Sequence, residues 1–104
     1  MRMLLKVSIP VERGNQAIAD GSLSSNLQAI LGELRPEATY FTAIEGKRTA
    51  LIFFDLADAS QIPAVAEPFF MSLNAELELY PVMTVEDLQK GLSGAQQAAA
   101  KYMP

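Results

Sequence analysis

Apolar and polar residues alternate singly in three stretches of the chain and recur at helical spacing between them. In the first stretch, Met3, Leu5, Val7 and Ile9 fall on one side and Leu4, Lys6 and Ser8 on the other, which predicts a strand over 3–9. Pro10 ends it, because proline has no N–H for a ladder. Val11–Gly21 is rich in turn residues and is expected to hold no more than one short helical turn. Beyond it Leu23, Leu27, Ile30, Leu31 and Leu34 form one apolar stripe, which predicts a helix capped by Ser22 or Ser24 and running to about Leu34. Pro36 stops that helix by disfavouring α geometry at Arg35.

The second alternating stretch, Thr39–Asp55, reads as a hairpin: two runs of β-branched and aromatic residues flank Gly46-Lys47. Gly-X in a two-residue loop predicts a type II′ turn there. That register sets Glu45 opposite Arg48, Ala43 opposite Ala50 and Phe41 opposite Ile52. With Phe54 these form a face suited to lie under helices. The other face collects Tyr40, Thr42, Ile44, Thr49, Leu51, Phe53 and Asp55, too apolar for water and too polar for a core.

Asp58 and Gln61 mark a helix start, with Pro63 in its first turn, and Pro68 is expected to kink or break that helix near Glu67. Ala75–Val82 is the third alternating stretch, Ala75, Leu77 and Leu79 against Glu76, Glu78 and Tyr80. Thr84-Val85-Glu86-Asp87 then opens a last helix, with acids where the helix dipole favours them. Leu88 and Leu92 are expected to pin it, Gly91 and Gly94 to interrupt it, and Ala95–Tyr102 to continue as a surface or partner-docking helix. The predicted order is βαββαβ over 1–83 plus a helical extension over 84–104. This is an α+β, ferredoxin-like domain with both helices on one face of a four-stranded antiparallel sheet. First and last strands are then neighbours, which places Lys6 near Glu76 or Glu78 on the helix-free face.

Composition sharpens this picture. A chain of 104 residues is one domain with an expected radius of gyration of ~13 Å, and it buries roughly two thirds of its unfolded surface. Half of the residues are hydrophobic and 19% are charged. Leaving Leu4, Ile44, Leu51 and Phe53 in water on the helix-free face is costly, so two such faces are expected to pair as a homodimer. A net charge of −4 with few, scattered basic residues disfavours nucleic-acid binding. Without cysteine or histidine the chain has no disulfide, no thiolate chemistry and neither of the two commonest transition-metal ligands, so no metal or cofactor is expected. A reducing cytoplasm suits it. No apolar run is long enough to span a membrane or to serve as a signal peptide.

Several strings carry a resemblance. I-P-V-E-R-G-N at 9–15, Asp20-Gly21, P-E-A-T-Y-F at 36–41 and G-K-R at 46–48 are four of them. S-Q-I-P-A-V-A-E-P-F-F at 60–70, N-A-E at 74–76 and P-V-M-T-V-E-D-L at 81–88 complete the set. Together they resemble a family of small uncharacterised bacterial proteins over most of the chain. Some members are labelled pantothenate synthetase, an enzyme similar to nucleotidyl transferases that place histidines around ATP; this chain has none. The order of elements also resembles the dimeric α/β-barrel superfamily, which includes cofactor-independent monooxygenases, lactone isomerases and haem-handling proteins. That resemblance implies a dimer and a pocket between sheets, and histidine-ligated haem is excluded.

Four sets of residues are candidates for chemistry. Lys6, Tyr40, Asp55, Glu76, Glu78 and Tyr80 belong to the face expected to be buried on pairing. A carboxyl there is expected to have a raised pKa and to serve as an acid or base, Glu76 or Glu78 being the catalytic candidates. The plainer alternative is a compensated interface with Lys6 paired to a glutamate. Glu12, Gly14, Asn15 and Asp20-Gly21 are either the lip of a pocket or ordinary turn and capping chemistry. Arg48 is either a carboxylate fork or a surface partner of Glu45. Glu67-Pro68 either recruits a ligand to freed backbone groups or fixes a kink that drops Phe69 and Phe70 into the core. The expected function is a homodimeric small-molecule-binding module. The alternatives are a cofactor-independent isomerase or monooxygenase acting on a small organic acid or lactone, and a purely structural association domain.

Overall fold

The computed structural model describes residues 1–104. The elements run β1 (Arg2–Ile9), α1 (Val11–Ala19), α2 (Ser22–Leu34), β2 (Ala38–Ile44), β3 (Lys47–Asp55), α3 (Ile62–Leu73), β4 (Glu76–Pro81) and α4 (Val85–Tyr102), with one 3₁₀ turn, Ala59–Gln61, leading into α3. The four strands form one open antiparallel sheet in the order β2-β3-β1-β4. This α+β arrangement is compatible with a ferredoxin-like fold. One face carries the core: Met3, Leu5, Val7 and Ile9 of β1 and Ala50, Ile52 and Phe54 of β3 lie beneath Ala17 of α1 and Phe69 and Leu73 of α3. The stripe of α2 packs against this cluster but none of its residues is fully buried.

The hairpin turns one residue earlier than its sequence suggests. Its loop is Glu45-Gly46, both at positive φ (53° and 74°), the conformation of a type I′ turn, so Lys47 opens β3 opposite Ile44. Phe41 therefore faces Ala50 rather than Ile52, and Arg48 faces Ala43 rather than Glu45. A shift of two positions leaves every side chain on its original face, because sides alternate with each residue. Phe41 stays 60% exposed all the same, since β2 is an edge strand that the helices barely cover.

The stretch after β1 is a nine-residue helix and not a turn-rich loop. Its inward residues are Gly14 and Ala17, too small to register as an apolar stripe. The small face is required by Arg48, which crosses from β3 to donate to the Val11 carbonyl (3.4 Å) and Asn15 Oδ1 (3.0 Å). A Cβ on Gly14 would stand 2.6 Å from Arg48 Nη1. Arg13 ties the outer side, donating to the Ser72 carbonyl at the end of α3 (2.8 Å). We expect Gly14→Ala to leave stability within about 0.5 kcal/mol of wild type, because its gain in helix propensity of ~1 kcal/mol is offset by eviction of Arg48. In an Arg48→Ala background the same change should stabilise by about 1 kcal/mol. Urea unfolding of the four proteins in this cycle measures the coupling.

The other three helices also differ from expectation. At the start of α2, Asp20 Oδ1 accepts from the Ser22 N–H (2.8 Å) and Gly21 takes φ +80°, so neither serine is the cap. The Asp58/Gln61 capping box forms as expected, but α3 runs through Pro68 without a break. The carbonyl of Ala64, which loses its donor, lies on an exposed residue, while the buried Phe69 and Leu73 anchor the following turn. Thr84 and Asp87 form the reciprocal cap of α4 (both 3.1 Å), and Gly91 and Gly94 do not interrupt it. No residue of α4 is buried. Leu88 and Leu92 remain 48% and 45% exposed, so they do not pin the helix. The molecule is accordingly elongated, 58 × 29 × 21 Å, with a radius of gyration of 17.5 Å against ~13 Å expected for its length.

Candidate functional site

The helix-free face of the sheet is built in cross-strand rows set by the register. Ala38, Phe53, Leu4 and Tyr80 make one row; Tyr40, Leu51, Lys6 and Glu78 the next; Thr42, Thr49, Ser8 and Glu76 the third; Ile44 and Lys47 close the hairpin end. The first row is mainly apolar and the polar groups collect towards the hairpin. There Lys6, Ser8, Ile44, Lys47, Glu76 and Glu78, together with Glu45, line a depression of about 200 Å³. Thr49, between Thr42 and Ser8 in its row, is buried and donates its hydroxyl to the Lys47 carbonyl (3.0 Å).

Two ion pairs bridge the strands. Lys6 Nζ lies 3.1 Å from Glu78 Oε2, and Lys47 Nζ lies 3.2 Å from Glu76 Oε2. Tyr80 donates its hydroxyl to the other Glu78 oxygen at 2.7 Å. The hydrogen bond from Tyr80, then that from Lys6, holds the Glu78 carboxyl below the usual glutamate range. Lys6 is raised by its hydrogen bond to Glu78, and Tyr80 is raised by the same carboxylate. In the single chain these contacts favour the anionic form of Glu78. Donors reach both oxygens, and they outweigh desolvation.

Because the folded carboxyl titrates below its unfolded value, the stability that Glu78 contributes is complete above the ordinary glutamate range. It is lost as pH falls through the folded midpoint. Lys6 and Tyr80 have the opposite sign: their contributions are complete at lower pH and are lost as pH rises through their raised folded values. We expect a carboxyl NMR titration to place the Glu78 midpoint below that of a free glutamate. Tyr80→Phe should move it upward; an unmoved midpoint would show that the hydroxyl does not hold it.

The six residues proposed from sequence are only partly brought together. Lys6, Glu78 and Tyr80 are contiguous, and Glu76 joins them in the depression. Tyr40 shares a row with Lys6, but Leu51 stands between them, and Tyr40 points largely into solvent. Asp55 lies at the far end of β3, opposite Arg2, where it meets the amino group of Met1 at 2.8 Å. Glu12 is exposed on α1. Gly14 and Asn15 accommodate and accept Arg48, and Asp20-Gly21 form the helix–helix turn, so these residues have packing and capping roles. Arg48 points to the helix side and does not meet Glu45. Sequence reasoning missed Lys47, because it was placed in the turn. A Glu-Gly loop with both residues at positive φ would have returned it to β3.

Other hollows lie on the helix side and at the junction of β4 with α4. One crevice of about 310 Å³ opens between α2 and α3, beside Ile30, Leu34, Val65 and Pro68. No helix is long and apolar enough to cross a membrane. Comparison of the chain with protein-family models and with curated proteins finds no match.

Proposed function

We propose that this chain is a homodimeric small-molecule-binding module whose ligand lies between two paired sheet faces. The observation that carries the reading is the division of one uncovered face into an apolar row, Ala38–Phe53–Leu4–Tyr80, and a polar depression beside it. The apolar row supplies association, since its partly buried Leu4 and Phe53 and its exposed Tyr80 still have apolar area to remove from water, each worth a part of the roughly 1.5–3 kcal/mol of full burial. The depression supplies recognition. Two ammonium groups and three carboxylates around Ser8 suit a small polar molecule that both donates and accepts hydrogen bonds. A lid formed by a second copy would turn this open dish into a walled pocket, as the likeness in element order to dimeric α/β barrels implies.

The enzymatic alternative, an isomerase or monooxygenase using Glu76 or Glu78, has less support. Such chemistry wants a carboxyl that exchanges its proton near neutrality, and the donors around Glu78 hold it ionised. Native mass spectrometry of the purified protein tests the binding reading. The expected species is two chains plus a small, dissociable mass, and the extra mass should be absent from Lys6→Met and Glu78→Gln. A single-chain mass at tens of micromolar, or a bare dimer from every preparation, would overturn it.

A further inference from the structure

The C-terminal helix α4 has an unpartnered face with its own internal order. Val85, Leu88, Leu92, Ala95, Ala99 and Tyr102 follow at intervals of three, four, three, four and three residues. This is the a/d spacing of a helix–helix seam. All six are exposed, and the helix, some 27 Å long at 1.5 Å per residue, has no buried residue.

We infer that this face pairs with the same helix of a second copy, antiparallel, with Val85 set against the second copy's Tyr102. In that register Leu88 comes level with Ala99 and Leu92 with Ala95, so each leucine meets an alanine through the four inner layers and Val85 against Tyr102 closes each end. A parallel pair would stack Leu on Leu in two successive layers and leave Ala facing Ala in the next two, a less even fill of the seam. Charge points the same way. Glu86 and Asp87 occupy the first turn and Lys101 the last. An antiparallel pair brings the acidic end of each helix level with the basic end of the other and opposes their dipoles, whereas a parallel pair sets like charges side by side. One surface that complements itself is what a two-fold contact between identical chains requires.

The contact does not rest on pairing of the sheet faces. The chain has no cysteine of its own, so single thiols report the register cleanly. Full-length Val85→Cys and Tyr102→Cys proteins, mixed in equal amounts and treated with a short bis-maleimide, are expected to give a covalent heterodimer. Neither protein alone should cross-link, because in this register two copies of position 85 lie about 25 Å apart along the axis. Both substitutions fall on exposed positions of the protruding helix, so folding of the body is spared. Cross-linking of either variant with itself would establish a parallel contact, and absence of any product would remove this face as a self-association surface; both overturn the inference. The mixture is also treated in a Phe53→Glu background, where the 85–102 product should persist. Failure of the sheet-face reading would appear separately, as association that Phe53→Glu does not weaken.

Discussion

Phe69→Ala is expected to lower the free energy of unfolding by about 3–5 kcal/mol, while Phe70→Ala, one residue on, should cost under about 1 kcal/mol. The two positions differ only in direction from α3: Phe69 is 0% exposed and Phe70 is 43% exposed. Phe69 belongs to a core of twelve hydrophobic residues, so one phenyl ring is a large part of all the apolar matter holding the helices to the sheet. It also follows Pro68 directly, where α3 has lost one backbone hydrogen bond and depends on packing to continue. Domains of this size are typically stable by 5–15 kcal/mol, so Phe69→Ala should be close to unfolding at 37 °C. Urea titration measures this as a lower midpoint at unchanged slope. Equal effects at the two positions would mean that α3 is rotated about its axis.

The second large effect concerns association. Phe53→Glu is expected to weaken pairing of the sheet faces at least 100-fold, about 3 kcal/mol, and to leave the fold intact. Phe53 is the centre of the apolar row, with Ala38 on one side and Leu4 on the other, and it faces away from the core. A glutamate there remains hydrated in the single chain and is forced out of water only when two faces meet. Phe41→Glu is the control. Phe41 is exposed on the opposite side of the sheet, so its replacement should not change association. Sedimentation across a concentration series separates the two; equal affinities for wild type and Phe53→Glu would place the contact elsewhere.

Much of this architecture is legible in the chain. Strands lie where a period of two coincides with β-branched residues, as in β1 and β3, and the capping boxes at Asp58 and Thr84 announce their helices by residue type alone. Two of the differences have one cause, a local signal overruled by a partner distant in sequence. Gly14 and Asn15 look like turn residues, and become helical because Arg48, more than thirty positions on, needs a small face to lie against and an acceptor to meet. Pro68 looks like a break, and is carried by two buried neighbours in its own helix whose support comes from the sheet.

The candidate site divides along the same line. Alternation alone put Lys6, Glu76, Glu78 and Tyr80 on one face, because the side of a strand residue depends only on its parity, which survived even a wrong hairpin turn. Parity says nothing of position along the strands. Only the register of four strands could separate Asp55 and Tyr40 from the others, bring Lys47 to Glu76, and show that donors reach both oxygens of Glu78. All four strands, three of the four helices and the faces that strand residues share are thus legible in the chain, since these follow from near-neighbour sterics and hydrophobic period. The tertiary structure decided which of those residues touch, what charge state their contacts favour, and that α4 stands clear of its own body, since contact depends on where distant segments come to lie.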